Sequence, residues 1–196
     1  MGYLQEKKKA LMNSAKGSRL PSEYQEVEWI GSDGSGQYII VEQRTATYPY
    51  FPFSLDDTFK IKISSLANTD RMSACAVSSY AELLINNLVM SARFYVSGNP
   101  SSVVLIEDEP CEYDFYVNKV FDLRFAPFLL FAYNINGNYS FKGKIYYFRW
   151  NRGADVYKEL VPCYRKSDNE IGMYDIINDV FYTNQGTGTF TKGDDV

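Results

Sequence analysis

The sequence predicts an all-β protein in which antiparallel strands form a two-sheet sandwich. Aromatic residues make up 16% of the 196 residues, with 17 Tyr and 13 Phe, and aromatic residues favour strands. After residue 20, short stretches alternate apolar with polar residues, and clusters of Gly, Asn, Asp and Ser separate them. No segment after residue 20 has the period of a long helix. Short alternating strands separated by turns are typical of an antiparallel sandwich.

Residues 1–19, here called the basic arm, differ from the rest of the chain in charge and composition. They contain five Lys or Arg residues and one Glu, whereas the whole chain has a net charge of −4. Helix-forming residues predominate, and Gly17 stands where a helix C-cap is common. The sequence predicts a short helical arm that docks or oligomerises, followed by one domain over 20–196; a frayed tail is the alternative. The candidate docking residues are Leu4, Lys7, Lys8, Lys9, Leu11 and Ala15.

The strand pattern is clearest in four segments of the larger domain. In FKIKIS at 59–64, the apolar residues Phe59, Ile61 and Ile63 alternate with polar residues, which predicts a half-buried strand. The same alternation occurs in three further segments: ARFYV at 92–96, FDLRF at 121–125 and KIYYFRW at 144–150.

The period of two also predicts which side chains point away from the core. In KIYYFRW it places Tyr146, Phe148 and Trp150 towards the core. If the predicted strands at 92–96, 121–125 and 144–150 share one sheet, the outer face of that sheet carries a band of Arg and Tyr: Arg93, Tyr95, Arg124, Tyr147 and Arg149. Tyr stacks on sugar rings and Arg pairs with carboxylate or phosphate, so this band is a candidate ligand-binding surface. The alternative is a face that contacts a neighbouring subunit or solvent.

A second candidate surface is the aromatic segment YPYFPF at 48–53. It has too many aromatic residues for an ordinary solvated loop. The segment either folds back over the core or contacts a partner or ligand. In the second case the predicted ligand contacts are Tyr48, Tyr50 and Phe51.

Two segments at the ends of the larger domain resemble a known family. They are LPSEYQEVEWIGSDGSGQYII at 20–40 and LVPCYRKSDNEIGMYDIINDVFYTNQGTGTFTKG at 160–193, and GKIYYFRW at 143–150 adds the strand that usually precedes the second. They resemble a module of tail and other virion proteins from phages and prophages of Gram-positive bacteria. That module has the concanavalin A-like lectin/glucanase fold, so the resemblance implies a jelly roll over 20–196. At 40–42, Ile-Val-Glu stands where the family usually has Asp-Thr-Gly, and any role of that aspartate does not transfer.

The residues of the closing segment agree with the resemblance. Asn178-Asp179 is a turn pair and Phe181-Tyr182 begins a return strand, which predicts a β-hairpin. Asn169 and Asp179 stand where the family often has glycine. Asn and Asp tolerate a positive φ better than other non-glycine residues, so we expect the turns to be preserved.

The residue inventory predicts a protein without catalytic residues. The chain has no histidine, which excludes Ser-His-Asp and Cys-His nucleophiles and His-ligated zinc. The glucanase signature of the resembling fold reads Glu-x-Asp-x-x-Glu. Here Glu112-Tyr-Asp114-Phe-Tyr-Val117 lacks the final Glu, which is expected to serve as acid and base.

Composition also limits the partners. The net charge of −4 gives no reason to bind nucleic acid, and the longest apolar run, 125–133, contains a proline and is too short to cross a bilayer. No cofactor is predicted. Calcium stays an alternative at Asp56-Asp57 and Asp194-Asp195, although no loop has the spacing of a dedicated site. The three cysteines are predicted to be reduced, apolar side chains: Cys75, Cys111 and Cys163.

Together these features predict a non-catalytic phage or prophage virion protein. The basic arm is expected to place it among other virion proteins on the tail or capsid surface. The jelly roll is expected to bind host-surface glycan, such as cell-wall polysaccharide or teichoic acid. Because virion parts are usually symmetric, a homo-oligomer of three or more subunits is expected. The alternatives are a purely structural capsid or tail subunit that contacts protein, and a divergent glycan hydrolase.

Overall fold

The structure, a computed structural model, describes residues 19–42, 56–66, 72–77, 81–86, 89–94, 102–116, 127–136 and 139–196. These residues form strands and turns, with no helix among them. Residues 1–18 of the basic arm, the aromatic segment at 48–53 and the predicted strand at 121–125 lie outside the described residues. The described strands are, in chain order, β1 (Tyr24–Glu26), β2 (Ile30–Asp33), β3 (Ile39–Glu42), β4 (Asp57–Ser65), β5 (Met72–Val77), β6 (Ala81–Asn86), β7 (Val89–Phe94), β8 (Ser102–Val104), β9 (Cys111–Tyr116), β10 (Phe128–Leu130), β11 (Lys142–Arg152), β12 (Asp155–Arg165), β13 (Glu170–Asp175), β14 (Val180–Thr183) and β15 (Thr191–Lys192).

The strands form two antiparallel sheets, as the sequence predicts. In the larger sheet, β11 is central: β4 and then β9 lie on one side, and β12, β13 and β14 follow on the other. β2 pairs with the first part of β11 and with β15, while β1 pairs with the end of β12. The smaller sheet has the order β3-β10-β5-β6-β7-β8. Within the described residues, no helix is long and apolar enough to span a membrane.

The core lies between the sheets and is rich in aromatic side chains. Phe59 of β4 stacks on Phe115 of β9 with ring centroids 4.9 Å apart, and it lies 5.7 Å from Phe128 of the smaller sheet. The ring centroids of Phe128 and Phe148 of β11 are 5.5 Å apart. Burying one such side chain contributes roughly 1.5–3 kcal/mol. The predicted inward face of FKIKIS is confirmed, since its three apolar residues are at most 1% exposed.

A β-bulge in β11 changes the orientation of one tyrosine. Ile145 and Tyr147 pair with the consecutive residues Ile63 and Lys62 of β4, so Tyr146 is the extra residue. Its half-buried ring lies 5.4 Å from Lys62 Nζ, on the face away from the core. The prediction of Tyr146 in the core was wrong because a strict period of two cannot anticipate a bulge. The two later core positions of this segment are confirmed, since both are fully buried.

The two segments that carry the family resemblance lie side by side. β15 of the closing segment pairs with β2 of the opening segment. Gln37 of the opening segment, 1% exposed, joins the two by donating to Thr189 O at 3.1 Å, and it also donates to Asp33 Oδ1 of its own segment at 2.8 Å. A Cβ on Gly186 would lie 1.9 Å from the carbonyl oxygen of Gly36, so this approach requires glycine. The glycine-rich pattern shared by the two segments therefore has a packing role.

The predicted closing hairpin is confirmed. β13 and β14 are antiparallel, and residues 176–179 join them. Asp179 has a φ of 57°, and Asn169 in the preceding turn has a φ of 58°. Both lie in the left-handed region, which Asn and Asp tolerate because their short side chains bond locally.

The three cysteines lie in the described part of the chain and form no disulfide bond. Cys75 and Cys163 are buried, which confirms their role as apolar side chains, whereas Cys111 is half-buried. Burial raises the pKa of the Cys163 thiol to about 12.

Candidate functional site

The predicted band of Arg and Tyr does not lie on one sheet. Tyr147 and Arg149 belong to β11 of the larger sheet, but Arg93 belongs to β7 of the smaller sheet. The prediction required the strands of Arg93, Tyr147 and Arg149 to share one sheet, and they do not. Alternation of apolar and polar residues shows which face of a strand a residue occupies, but it does not show which sheet the strand joins. The other predicted ligand contacts and the arm residues lie outside the described residues: Tyr95, Arg124, Tyr48, Tyr50, Phe51, Leu4, Lys7, Lys8, Lys9, Leu11 and Ala15.

Tyr147 takes part in a polar cluster on the outer face of the larger sheet. The register of β11, β4 and β9 aligns Tyr147 with Lys62 and Glu112. The Tyr147 hydroxyl donates to Glu112 Oε2, and Lys60 Nζ lies 2.8 Å from Glu112 Oε1. We call Lys60, Glu112 and Tyr147 the outer triad. The side chains of Lys60 and Glu112 are 36% and 47% exposed, so water reaches this cluster.

The outer triad is poorly suited to acid catalysis. Hydrogen bonds from Lys60 and Tyr147 lower the pKa of Glu112 below its ordinary value. A glycosidase acid needs the opposite shift, a raised pKa that keeps its proton near neutral pH. Asp114 lies 3.6 Å from Lys60 Nζ and is also paired with a cation. This pair of carboxylates therefore lacks the environment that a hydrolase requires.

Arg149 is held by a carboxylate of the protein itself. Its Nη2 lies 2.9 Å from Glu159 Oε2. Glu159 is also 3.5 Å from Arg19, which in turn lies 2.6 Å from Glu26. An anionic ligand at Arg149 would have to compete with Glu159 for the guanidinium.

A different site lies where the edges of the two sheets meet. A cleft of about 360 Å³ opens between β3 of the smaller sheet and β12 and β14 of the larger sheet. We call it the edge cleft. Its polar lining comprises Glu42, Lys158, Tyr182, Thr183 and Gln185, and the apolar side chains of Ile40, Val41 and Phe181 complete it.

Lys158 at the edge cleft is buried and has three partners. Its side chain is 7% exposed, and Nζ lies 3.0 Å from the Tyr182 hydroxyl, 3.1 Å from Glu42 Oε2 and 3.7 Å from Asp175 Oδ2. Glu42 is 25% exposed and Asp175 is fully buried. We call Lys158, Glu42 and Tyr182 the buried triad.

The charges of the buried triad stabilise one another. Burial favours the neutral amine, but the Tyr182 hydroxyl, Glu42 and Asp175 outweigh it and hold the pKa of Lys158 above its ordinary value. Burial raises the pKa of Tyr182, and the nearby ammonium partly offsets that rise. At neutral pH the cluster thus contains an ammonium and a neutral phenol.

The edge cleft was missed by the sequence reasoning, although two signals pointed to it. Lys158 pairs with Trp150, which is fully buried, so it occupies a core-facing position where lysine is rare. Glu42 belongs to the Ile-Val-Glu stretch at 40–42 that departs from the resembling family. Neither signal shows that the two residues meet, because only the packing of two sheets brings them within 3.1 Å.

Among the described residues, no group of three His, Cys, Asp or Glu side chains could hold a metal ion. Neither Asp56-Asp57 nor Asp194-Asp195, the calcium alternatives, belongs to such a group.

Comparison with known proteins gives a fold likeness. No protein-family model matches the chain, and no curated protein matches it. One similar solved structure is titled a "putative carbohydrate binding protein" from Bacteroides ovatus ATCC 8483, with a TM-score of 0.55 and 13% identity. The match covers 86% of this chain and 61% of that one, so this chain spans less than two thirds of its length. At this identity the likeness concerns the sheet-rich fold alone.

Proposed function

We propose that this chain is a non-catalytic carbohydrate-binding protein and that it binds a sugar in the edge cleft. The observation that carries the proposal is the lining of the cleft, where a tyrosine, a carboxylate, an amide and a hydroxyl meet in about 360 Å³. This volume is near the lower end of the roughly 300–1,000 Å³ typical of small-ligand pockets. Sugars present apolar ring faces to aromatic side chains and hydroxyl groups to polar ones.

The fold supports the same proposal. The two-sheet architecture is similar to that of a protein described as carbohydrate-binding. The residues at 20–40 and 160–193 resemble a lectin-like jelly-roll module, and these segments are neighbours in the larger sheet. We therefore propose a concanavalin A-like jelly roll.

The carboxylates around the edge cleft do not form a hydrolytic pair. Hydrolysis needs two carboxyl groups that face one glycosidic bond, one of them able to donate a proton. Glu42 and Asp175 instead both face Lys158 Nζ, and Asp175 is fully buried. The geometry therefore favours binding without bond cleavage.

The biological setting of the proposal comes from the resemblance in the sequence. We propose a phage or prophage virion protein that binds host-surface glycan, with the basic arm joining it to other virion proteins. Assembly into a homo-oligomer would strengthen weak single sites through multivalency. Tyr147 and Arg149 remain proposed secondary ligand contacts on the outer face.

A glycan array with the full chain, followed by calorimetry on the best ligand, tests the proposal. Glu42→Gln changes one cleft carboxylate to an amide of the same shape, and Glu112→Gln is the matched control in the outer triad. Losing a charge-assisted hydrogen bond costs about 1.5–3 kcal/mol, so we expect Glu42→Gln to weaken binding roughly tenfold or more. Glu112→Gln should leave the affinity of the edge cleft unchanged, because Glu112 and its partner Tyr147 lie on the outer face of the larger sheet.

Three results would contradict this proposal. Failure of the assembled chain to bind any glycan would remove the function. An unchanged affinity in Glu42→Gln would move the site away from the edge cleft. Release of reducing ends from a bound glycan would show that the protein is a hydrolase.

A further inference from the structure

We propose that the edge cleft selects an uncharged sugar that presents hydroxyl donors, and that it rejects sugars bearing carboxylate or phosphate. This inference rests on the proposed function and specifies its ligand class. It follows from the charges around Lys158 and from the direction in which the hydrogen bonds of the buried triad run.

The single ammonium of the edge cleft is already matched by carboxylates. Lys158 lies between Glu42 and Asp175, so these three groups together carry one excess negative charge. Asp175 cannot turn away, because it accepts from the Asn178 side chain at 2.7 Å and from the Ile177 backbone N–H at 3.1 Å. The other lining side chains named above are uncharged. An anionic sugar would therefore meet net repulsion in the cleft.

Lys158 also has few donors to offer. An ammonium has three N–H donors and no acceptor. Tyr182 and Glu42 lie 3.0 and 3.1 Å from its nitrogen and take two of these donors, Asp175 pairs with the charge at 3.7 Å, and the lysine side chain is only 7% exposed. Lys158 therefore positions Glu42 and Tyr182, and a ligand anion could reach the ammonium only by displacing one of these partners.

Glu42 is the charged group that remains accessible to a ligand. Its side chain is 25% exposed, and among the described residues Lys158 is its only polar partner, through Oε2. An ionised carboxylate accepts hydrogen bonds and donates none. A sugar hydroxyl can donate to it, whereas a carboxylate or phosphate brings like charge and no donor.

The rim of the cleft suits the same ligand. Gln185 Nε2 lies 3.4 Å from both Thr183 Oγ1 and Thr183 O, at the long limit for a hydrogen bond. Both side chains donate and accept, so they can rotate to meet hydroxyl groups. Of the two wall polymers considered above, the cleft thus favours neutral polysaccharide over teichoic acid.

The experiment compares sugars that differ in one group. The full chain is titrated with neutral hexose oligosaccharides, with the uronic acid oligosaccharides that carry a carboxylate in place of the C6 hydroxymethyl, and with the methyl esters of those uronic acids. Like charges in contact at a binding site cost several kcal/mol, so we expect the uronic acid to bind at least about tenfold more weakly than its neutral counterpart. The methyl ester should regain most of the affinity. Glu42→Gln should reduce the difference in affinity between the neutral sugar and the uronic acid.

The outcomes separate this inference from the function itself. If neutral and anionic sugars bind equally, or if the anionic one binds more tightly, the selectivity is wrong and the carbohydrate-binding function stands. The neutral sugar could be preferred while Glu112→Gln, and not Glu42→Gln, reduces the difference in affinity between neutral and anionic sugars. That result would show that the edge cleft is the wrong location. If none of the three classes binds, the function and the inference both fail. Circular dichroism of each variant establishes that it is folded.

Discussion

The buried triad and the outer triad contain the same three residue types in different surroundings. Each joins a lysine, a glutamate and a tyrosine from three strands. In the buried triad the lysine is 7% exposed and donates to both partners. In the outer triad the lysine is 36% exposed and the glutamate accepts from both partners.

This difference in exposure is the reason why we propose different roles for the two clusters. At the outer triad, water competes for every hydrogen bond and screens the charges. At the buried triad, few waters compete, so each partner is held in place and an unmatched group is costly. We therefore expect this set of residues to discriminate between charged and uncharged ligands more strongly in the edge cleft than on the outer face. Three paired substitutions test this comparison.

The largest expected difference is between Lys158→Met and Lys60→Met. Removing Lys158 leaves Glu42 and Asp175 without their cation, which should lower the free energy of unfolding by about 3–5 kcal/mol. Lys60→Met should have little effect because its site is solvated. Urea unfolding of both variants measures the difference, and equal losses would show that burial does not distinguish the triads.

Removing the phenol hydroxyls should have a smaller effect. Tyr182→Phe deprives Lys158 of one buried acceptor, which should cost about 1–3 kcal/mol of stability. Tyr147→Phe removes a hydroxyl from a partly exposed cluster and should change stability less. Thermal unfolding of the two variants provides the test. A larger loss in Tyr147→Phe would reverse the comparison.

The smallest effects concern the pKa values of the two tyrosines, which should respond in opposite directions. Burial raises both pKa values above the ordinary 10.0, but Glu112 raises that of Tyr147 further, whereas Lys158 lowers that of Tyr182. Glu112→Gln should therefore lower the pKa of Tyr147, and Lys158→Met should raise that of Tyr182. Carbon-13 NMR of the labelled phenol rings resolves each titration, and shifts of the same sign would contradict the assignment.

The same pKa directions predict how stability depends on pH. The pKa of Tyr182 is higher in the folded state than its ordinary value of 10.0. Such a group contributes its full stabilisation below pH 10.0, and this contribution is lost as the pH rises through the pKa of the folded state. Lys158, also raised from 10.5, acts in the same sense. Unfolding measured from pH 8 to 12 should show stability falling above pH 10, and a rise there would contradict the directions.

Local patterns were sufficient for several parts of the fold. The alternation in FKIKIS predicted strand β4 and its core face, because a strand places neighbours on opposite sides. The Asn178-Asp179 pair predicted the closing hairpin, because its turn needs residues that tolerate a positive φ. Alternation failed at Tyr146, where β11 has one more residue than β4 at the bulge. It could not tell that Arg93 and Tyr147 belong to different sheets.

The amino-acid sequence by itself determined the all-β class, the lack of histidine chemistry, the half-buried strands and the turns, because each depends on residues close together in the chain. Tertiary structure alone decided which strands that are distant in the chain became neighbours, and this pairing and packing formed the edge cleft. Glu42 and Lys158 are far apart in the chain but 3.1 Å apart at the meeting of two sheets. The physical reason is that interactions between charges are stronger where water is excluded, and water is excluded from Lys158 only when the two sheets have packed together.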